Sequence, residues 1–332
     1  MLAPGDVLAT KTLALDLVKV SSFSASPDGT VFGVAGHEKG KDGPMDLFSS
    51  FYFDAATGKR LGQPLKVAGP GQLSAKGRTV AYMSLEFTRD SDMVVREVAA
   101  GKEVVVAQIK NGLDPTAFSA DGKLLVTARQ STLGFFRVPE GKAAFPAVKT
   151  PEPITALSGT FLGDTRVATL HGGGVVRVWD LATGKEADAL DAKTDKEGWN
   201  GLHVAEDGIA MTVHNHNTGA QMVWDLRAKK QMTWEQKSEF AVTTPRFRPL
   251  PGGTLYFVGH EYSVKLKGGG TGRIDFVALA DLATGNLTGR LIAPEDKGIW
   301  EHVSVSRDGK RALMLNTDKA RVYVWDVPGK KK

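Results

Sequence analysis

The sequence predicts an all-β fold made of seven similar repeats, and two periodic patterns support this prediction. The first pattern is a strand that ends in a short turn. It is most complete at 175–185, where the residues are Val-Val-Arg-Val-Trp-Asp-Leu-Ala-Thr-Gly-Lys. The β-branched and aromatic residues favour a pleated strand, and Gly184 suits the positive φ that a short turn requires. Six similar but less complete copies occur at 53–59, 96–102, 136–142, 224–230, 280–286 and 325–330.

The second pattern is a turn dipeptide, or a close relative of one, that lies between two apolar runs and precedes each copy. These dipeptides are found at 28–29, 76–77, 121–122, 163–164, 207–208, 252–253 and 308–309. Both patterns therefore count seven repeats. A period near 40–45 residues with Trp-Asp at the end of a strand is typical of propeller blades. The predicted fold is a seven-bladed β-propeller whose blades are four antiparallel strands.

With these motifs the chain resembles the WD-repeat β-propellers. The resemblance covers nearly the whole chain and is strongest in blades 4, 5 and 7, which contain Trp179-Asp180, Trp224-Asp225 and Trp325-Asp326. The recurring Asp, Thr, Gly and Lys of the turn resemble bacterial members of that family. The resemblance implies that the loops between second and third strands share one rim with the links between blades, and that the short turns share the other rim.

The predicted blades fill the chain in order as a single domain, 1–332. Their approximate bounds are 18–67, 68–112, 113–150, 151–196, 197–240, 241–295 and 296–330. The last blade has only three strands, and residues 7–17 resemble the fourth strand of the other blades. We therefore expect this N-terminal strand to join the C-terminal blade and close the ring, because an open ring would leave a sheet edge.

Composition restricts the function. The chain of 332 residues is 42% hydrophobic and has no Cys, which excludes disulfides and thiolate metal sites. Its net charge of +5 is spread out, so we expect no nucleic-acid partner. No apolar run reaches membrane-spanning length, and we expect no membrane partner. The start lacks signal-peptide features, which favours a cytoplasmic protein unless a leader was removed. We expect a monomer without cofactor.

The top rim, with the longer and more variable loops, is the predicted partner-binding face, because the opposite rim repeats nearly the same turn. The candidate contact residues are His37, Glu38, Arg89, Arg129, His171, Trp199, His214, His216, His260, Glu261 and Trp300. Trp199 and Trp300 lie in predicted links between blades. They either wedge between blades or present aromatic anchors to a partner.

Four of the histidines align by repeat. His37, His171, His214 and His260 are each predicted to lie where a second strand ends toward the top rim. In one interpretation they are local hydrogen-bond donors to the backbone or to Trp, replacing members of a hydrogen-bonded tetrad that the family resemblance implies. That tetrad joins the Trp at the end of the third strand, a Ser or Thr of the second strand, an Asp of the turn between them and the His of a Gly-His in the link before the blade. In the other interpretation they form a ring of ligands for a metal or an acidic group. A zinc site would need three or four converging ligands.

The predicted function is a non-catalytic platform that binds a peptide or protein on the top rim. One alternative is an enzyme or ligand-binding propeller, such as a lactonase-like hydrolase with metal in the central channel. It would need inward carboxylates, whereas the polar residues of the predicted first strands are Ser24, His203 and Ser304. A sensor domain of a longer signalling protein is a further alternative. We assign no catalytic or metal-binding residue.

Overall fold

The computed structural model of this protein describes fifteen stretches of the chain. They are residues 6–38, 49–67, 69–83, 90–99, 103–110, 116–119, 121–138, 140–159, 161–162, 165–191, 198–215, 220–232, 247–265, 271–292 and 300–327. These residues form 29 strands in seven separate sheets, without a helix. Accordingly, none of the described residues lies in a helix that could cross a membrane.

Two short strands begin the chain, β1 (Asp6–Leu8) and β2 (Lys11–Ala14). The first three blades follow, each a four-stranded antiparallel sheet. Blade 1 contains β3 (Leu17–Ala25), β4 (Val31–Glu38), β5 (Ser49–Asp54) and β6 (Arg60–Lys66). Blade 2 contains β7 (Gln72–Leu73), β8 (Thr79–Met83), β9 (Asp90–Glu97) and β10 (Glu103–Lys110). Blade 3 contains β11 (Thr116–Phe118), β12 (Leu124–Arg129), β13 (Thr132–Arg137) and β14 (Val148–Lys149).

The remaining blades repeat this order. Blade 4 contains β15 (Ile154–Leu157), β16 (Arg166–His171), β17 (Val175–Asp180) and β18 (Glu186–Asp191). Blade 5 contains β19 (Gly201–Val204), β20 (Ala210–His214), β21 (Gln221–Asp225) and β22 (Lys230–Met232). Blade 6 contains β23 (Arg248–Leu250), β24 (Thr254–Lys265), β25 (Thr271–Asp281) and β26 (Leu287–Ile292). Blade 7 contains β27 (Trp300–Val305), β28 (Arg311–Asn316) and β29 (Arg321–Asp326).

The seven blades form a ring, and the fold class predicted from the sequence is confirmed. First strands of neighbouring blades contact one another, as β27 does with β3, β3 with β7, and β15 with β19. The first strands therefore line the ring axis, and the fourth strands lie outside. Because successive strands are antiparallel, second-to-third-strand turns and the links between blades lie at one end, the top rim. The other turns lie at the bottom rim.

The N-terminal strands complete the outer edges of two different blades. β2 pairs antiparallel with β29, and Thr12 lies opposite Tyr323 as the fourth strand of blade 7. β1 instead pairs parallel with β26 of blade 6. The predicted single strand at 7–17 is therefore corrected to two strands, with residues 9–10 crossing between blades. The backbone N–H and hydroxyl of Thr10 both donate to the Val324 carbonyl, at 2.8 and 3.0 Å.

The core consists of layers between neighbouring blades. Trp179 is 2% exposed and packs against blade 3 residues such as Leu133 and Phe135. Trp224 is 5% exposed and packs against blade 4 residues such as Leu170. The sequence-based prediction that both tryptophans are buried between blades is confirmed. Blades 1, 3, 4, 5 and 7 thus each supply an aromatic side chain to the layer shared with the previous blade, and burial of these side chains joins the blades.

Candidate functional site on the top rim

The bottom rim is built from a repeated local hydrogen-bonding pattern. In the turns after β5, β17 and β25, an Asp carboxylate accepts bonds from the N–H and the hydroxyl of the Thr three residues later, at 2.7–3.1 Å. These carboxylates belong to Asp54, Asp180 and Asp281. The hydroxyl of Thr183 holds the pKa of Asp180 below its usual value. Such turns satisfy their own polar groups.

The first-to-second-strand turns of blades 1, 3 and 7 also repeat. In each, a Ser hydroxyl donates to the carboxylate of an Asp two residues later at 2.7 Å, and the next residue is a Gly with φ between 66° and 71°. The pairs are Ser26 with Asp28, Ser119 with Asp121, and Ser306 with Asp308. Folding alone explains why the bottom rim repeats.

The top ends of the second strands are aligned by their pairing with the third strands. Trp179 pairs with Val167, so His171 lies four residues beyond the position opposite this Trp. Counting four residues beyond the positions opposite Phe53, Phe136, Trp224, Ala280 and Trp325 identifies the equivalents in five other blades. These equivalents are Gly36, Arg129, Asn215, Gly259 and Asn316.

This register corrects the predicted alignment of the histidines. His37 and His260 lie one residue beyond the position of His171, and His214 lies one residue before it. Adjacent residues of a strand point to opposite faces of the sheet. The four histidines therefore do not occupy equivalent positions, and they do not form a ring of equivalent ligands.

His171 is held in a buried chain of hydrogen bonds in blade 4. The indole N–H of Trp179 donates to the hydroxyl of Thr169 at 2.8 Å. That hydroxyl lies 2.8 Å from His171 Nε2, and His171 Nδ1 lies 3.2 Å from the carbonyl oxygen of Glu152. Since a carbonyl only accepts, Nδ1 carries the proton and Nε2 accepts from Thr169. His171 thus has the local role that one sequence-based interpretation gave it.

Electrostatics keep this imidazole neutral. Burial lowers the pKa of His171, and the positive charge of Arg177 lowers it further, against the hydrogen bond to Glu152. Arg177 lies between two carboxylates, with Nη2 3.1 Å from Glu152 and Nη1 3.1 Å from Glu186. Burial lowers the pKa of Arg177, but the two carboxylates raise it overall. With the imidazole neutral, the network has one cation between two carboxylates.

Two more candidate contact residues are buried. His214 is 4% exposed and its ring stacks on His203, with centroids 5.4 Å apart and planes at 13°. A Cβ on Gly201 would lie 2.0 Å from the His214 ring, so only glycine leaves room for it. Trp199 is 8% exposed and packs with Trp224 between blades 4 and 5, as a wedge. His171, His214 and Trp199 are thus at most 8% exposed, and their contact with a partner stays a prediction.

The other candidates differ in what the structure shows of them. His37 is half-buried, and Glu38 forms an ion pair with Arg60 at 2.5 Å. Arg129 is half-exposed at the top end of β12. Arg89 and His216 lie outside the described residues. The backbone places His260 and Glu261 on β24 and Trp300 on β27 rather than in a link, and their side chains lie outside the described part.

The chemistry of the top ends of the outer strands changes from blade to blade. Third- and fourth-strand residues are paired there at the same register in five blades. These pairs are Ser49 with Lys66, Thr132 with Lys149, Val175 with Asp191, Phe276 with Ile292, and Arg321 with Ala14. At the bottom end the third strand carries Asp in four of these blades, at 54, 180, 281 and 326, and Arg137 in blade 3. The bottom ends therefore vary less than the top ends.

Sequence reasoning missed Thr169, Glu152 and Arg177. The family resemblance implies a Ser or Thr on the second strand beside the Trp, and that signal points to Thr169 on β16. Nothing in the local sequence connects Glu152 to Arg177, which lie 25 residues apart and meet only because the link into blade 4 passes over β17.

The chain was compared with protein-family models and with curated proteins. No protein-family model matches it, and no curated protein matches its sequence significantly. In the described part of the chain, no three His, Asp or Glu residues are grouped so that they could hold a metal ion.

Proposed function

We propose that this protein is a propeller of the WD-repeat type that acts as a non-catalytic platform, binding a peptide or protein segment on its top rim. The observation that carries the proposal is the contrast between its rims. The third strands of five blades end in Asp at the bottom rim, whereas the third- and fourth-strand residues paired at the top ends differ, as in Thr132 with Lys149, Val175 with Asp191 and Phe276 with Ile292. Folding explains a repeated turn, whereas an irregular rim on the same scaffold requires a different selective reason.

The rim between blades 3 and 4 is held by backbone hydrogen bonds that suit it to binding. The N–H of Ile154 donates to the Gln130 carbonyl at 2.6 Å, and the N–H of Thr150 donates to the Ser131 carbonyl at 2.9 Å. On the other side, Gly172 donates to the Pro153 carbonyl at 2.9 Å. The link is thus fixed to the turns of both blades. A surface ordered before binding loses less conformational entropy when a partner arrives.

Blade 4 supports the WD-repeat part of the proposal. Its hydrogen bonds from Trp179 to Thr169 to His171 resemble the tetrad of that family in the Trp, the second-strand hydroxyl and the His. It departs from the tetrad because the His follows on the same strand as the Thr. The Glu152 carbonyl then accepts from this His.

A steric block of each rim tests the platform. Ser131→Trp with Gly172→Trp places two bulky side chains on the top turns, and Gly172 has room for them because an added Cβ meets no atom closer than 3.9 Å. The matched control, Lys59→Trp with Lys185→Trp, places two on the exposed bottom turns. We expect proteins captured from a lysate of the source organism by the wild type to be lost with the top variant and retained with the control.

Both variants should melt within a few degrees of the wild type, since the substituted positions lie on turns at the surface. If the bottom-rim variant loses the captured proteins and the top-rim variant retains them, the binding face is the bottom rim. If neither variant changes which proteins are captured, the platform proposal is contradicted.

A further inference from the structure

A row of three polar side chains crosses the top edge of blade 3. Arg129 at the end of β12 pairs directly with Thr132 of β13, and Thr132 pairs directly with Lys149 of β14. Directly opposed residues of antiparallel strands project from the same face of the sheet. The three side chains therefore stand side by side. Two strand spacings of roughly 4.8 Å separate the backbone of the two cations, which gives about 10 Å.

The row faces blade 2 at the top rim. Phe136 lies on the same face of β13 as Thr132, four residues along, and packs with Ala81, Met93 and Val95 of blade 2. Lys149 is exposed, and Arg129 and Thr132 are half-exposed. A partner lying over the top of blade 3 would meet all three.

Neither cation of the row is neutralised by a described residue: no ion pair or hydrogen bond joins the Arg129 or Lys149 side chain to any of them. Two arginines of other blades are paired, Arg60 with Glu38 and Arg177 with Glu152 and Glu186. Among the described residues, the two cations therefore leave a local excess of positive charge.

Folding does not require these residues at their positions. In blade 7 the equivalent of Arg129 is Asn316, whose amide oxygen accepts the N–H of Lys319 within its own turn. In blade 4 the equivalent is His171, which bonds the Glu152 carbonyl. Blade 3 closes the same end with a two-residue turn, Gln130-Ser131, whose carbonyls accept from the link into blade 4. The guanidinium of Arg129 has no part in that arrangement.

We infer that this basic row, Arg129–Thr132–Lys149, binds two neighbouring carboxylates of an acidic peptide segment, an inference that rests on the proposed platform function. A guanidinium presents a fork of donors that matches a carboxylate in two parallel hydrogen bonds, and an ammonium acts as a point charge. The Thr132 hydroxyl between them is a further donor. An extended peptide with acidic residues two positions apart presents both on one side, about 7 Å apart, within reach of the two long side chains.

Peptide selection on the intact protein tests the inference. A displayed library of random 12-residue peptides is selected on the wild type, and enriched peptides are synthesised with a fluorescent label for Kd measurement by anisotropy. We expect enriched peptides that carry Asp or Glu at neighbouring or alternate positions. Their binding should weaken at least about tenfold with Arg129→Glu and Lys149→Glu together, since charged hydrogen bonds are lost and repulsion is added. Higher salt should also weaken it.

Two controls keep the test decisive. Lys149→Glu alone changes an exposed side chain and should weaken binding without affecting the fold, and Lys59→Glu with Lys185→Glu makes the same charge change on the bottom rim and should leave Kd within about twofold. Peptides without acidic pairs, or with a Kd that ignores Arg129 and Lys149, overturn the inference. If the Ser131→Trp with Gly172→Trp variant still blocks binding of those peptides, the proposed platform is supported and the basic row is contradicted. If that variant blocks binding of no selected peptide, both the platform and the basic row are contradicted.

Discussion

At the scale of single residues, the strand-end tryptophans show what a repeat specifies and what it leaves to its surroundings. Trp179, Trp224 and Trp325 all precede the turn Asp, and all three are buried between blades. The indole N–H groups of Trp179 and Trp325 have different hydrogen-bond acceptors. Trp179 donates to Thr169, and Trp325 donates to the Ile292 carbonyl at 3.3 Å. The repeat therefore sets the packing position of the ring, while the neighbouring blade and strand decide its polar partner.

The first residue-scale prediction concerns that packing. Trp179→Ala removes a large side chain that is 2% exposed, so it should lower the free energy of unfolding by about 3–5 kcal/mol through lost burial and a cavity. Equilibrium unfolding in urea measures the loss. Phe136→Ala, at the equivalent but only partly buried position of blade 3, is the matched variant and should cost less. A loss below about 1 kcal/mol for Trp179→Ala would contradict the packing between blades 3 and 4.

The second concerns pH. Burial lowers the pKa of His171 in the folded state, so the folded protein takes up a proton there less readily than the unfolded chain. The group costs no stability above the unfolded pKa of about 6.5, and an increasing amount as the pH falls below it. We expect the free energy of unfolding to drop between pH 7 and pH 5 by less in His171→Asn than in the wild type. The same drop in both proteins would mean that His171 is protonated equally well in the folded state.

At the scale of elements, the N-terminal strands act as a strap over the joint between blades 6 and 7. β2 fills the outer edge of blade 7, and Leu13, Leu15 and Leu17 bury their side chains in the layer between blades 7 and 1. β1 is a three-residue parallel addition to blade 6, where Leu8 stays 48% exposed. The two strands should therefore contribute very unequally to stability.

Nested deletions test this difference. Removal of residues 1–8 takes away β1 alone and should lower the melting temperature slightly. Removal of residues 1–17 also takes away β2 and the buried leucines, opens the ring and exposes a strand edge, so it should lower the melting temperature sharply. Thermal unfolding followed by circular dichroism compares the two with the parent. A 1–17 deletion that melts like the parent would contradict closure through β2.

The same scale explains which parts of the structure the sequence predicts. The bottom turns were predictable because Asp180, Thr183 and Gly184 satisfy one another within a few residues. The register of the top ends was not predictable. The number of residues between each His and the residue at the end of the third strand depends on the length of the turn that joins the second and third strands. A slip of one residue sends a side chain to the opposite face, which separates His214 from His171. Only the cross-strand pairing determines that register.

At the scale of the whole molecule, a closed ring presents two rims with different origins. Local turns determine one rim, and the other combines residues that strand pairing and the links between blades bring together. The basic row of blade 3 joins Arg129 to Lys149, and the link over blade 4 joins Glu152 to Arg177. Such combinations depend on the fold and are free to vary without disturbing it. Function on the top rim is the consequence we propose.

The most direct test of a top-rim platform is the footprint of a bound peptide measured by hydrogen–deuterium exchange. The peptide selected on the wild type is added at saturation, and amide exchange is compared with that of the free protein. We expect protection at the top turns and links, residues 129–132 and 149–154, with unchanged exchange at the bottom turns 55–59 and 181–185. Protection confined to the bottom turns would contradict the assignment of the binding face.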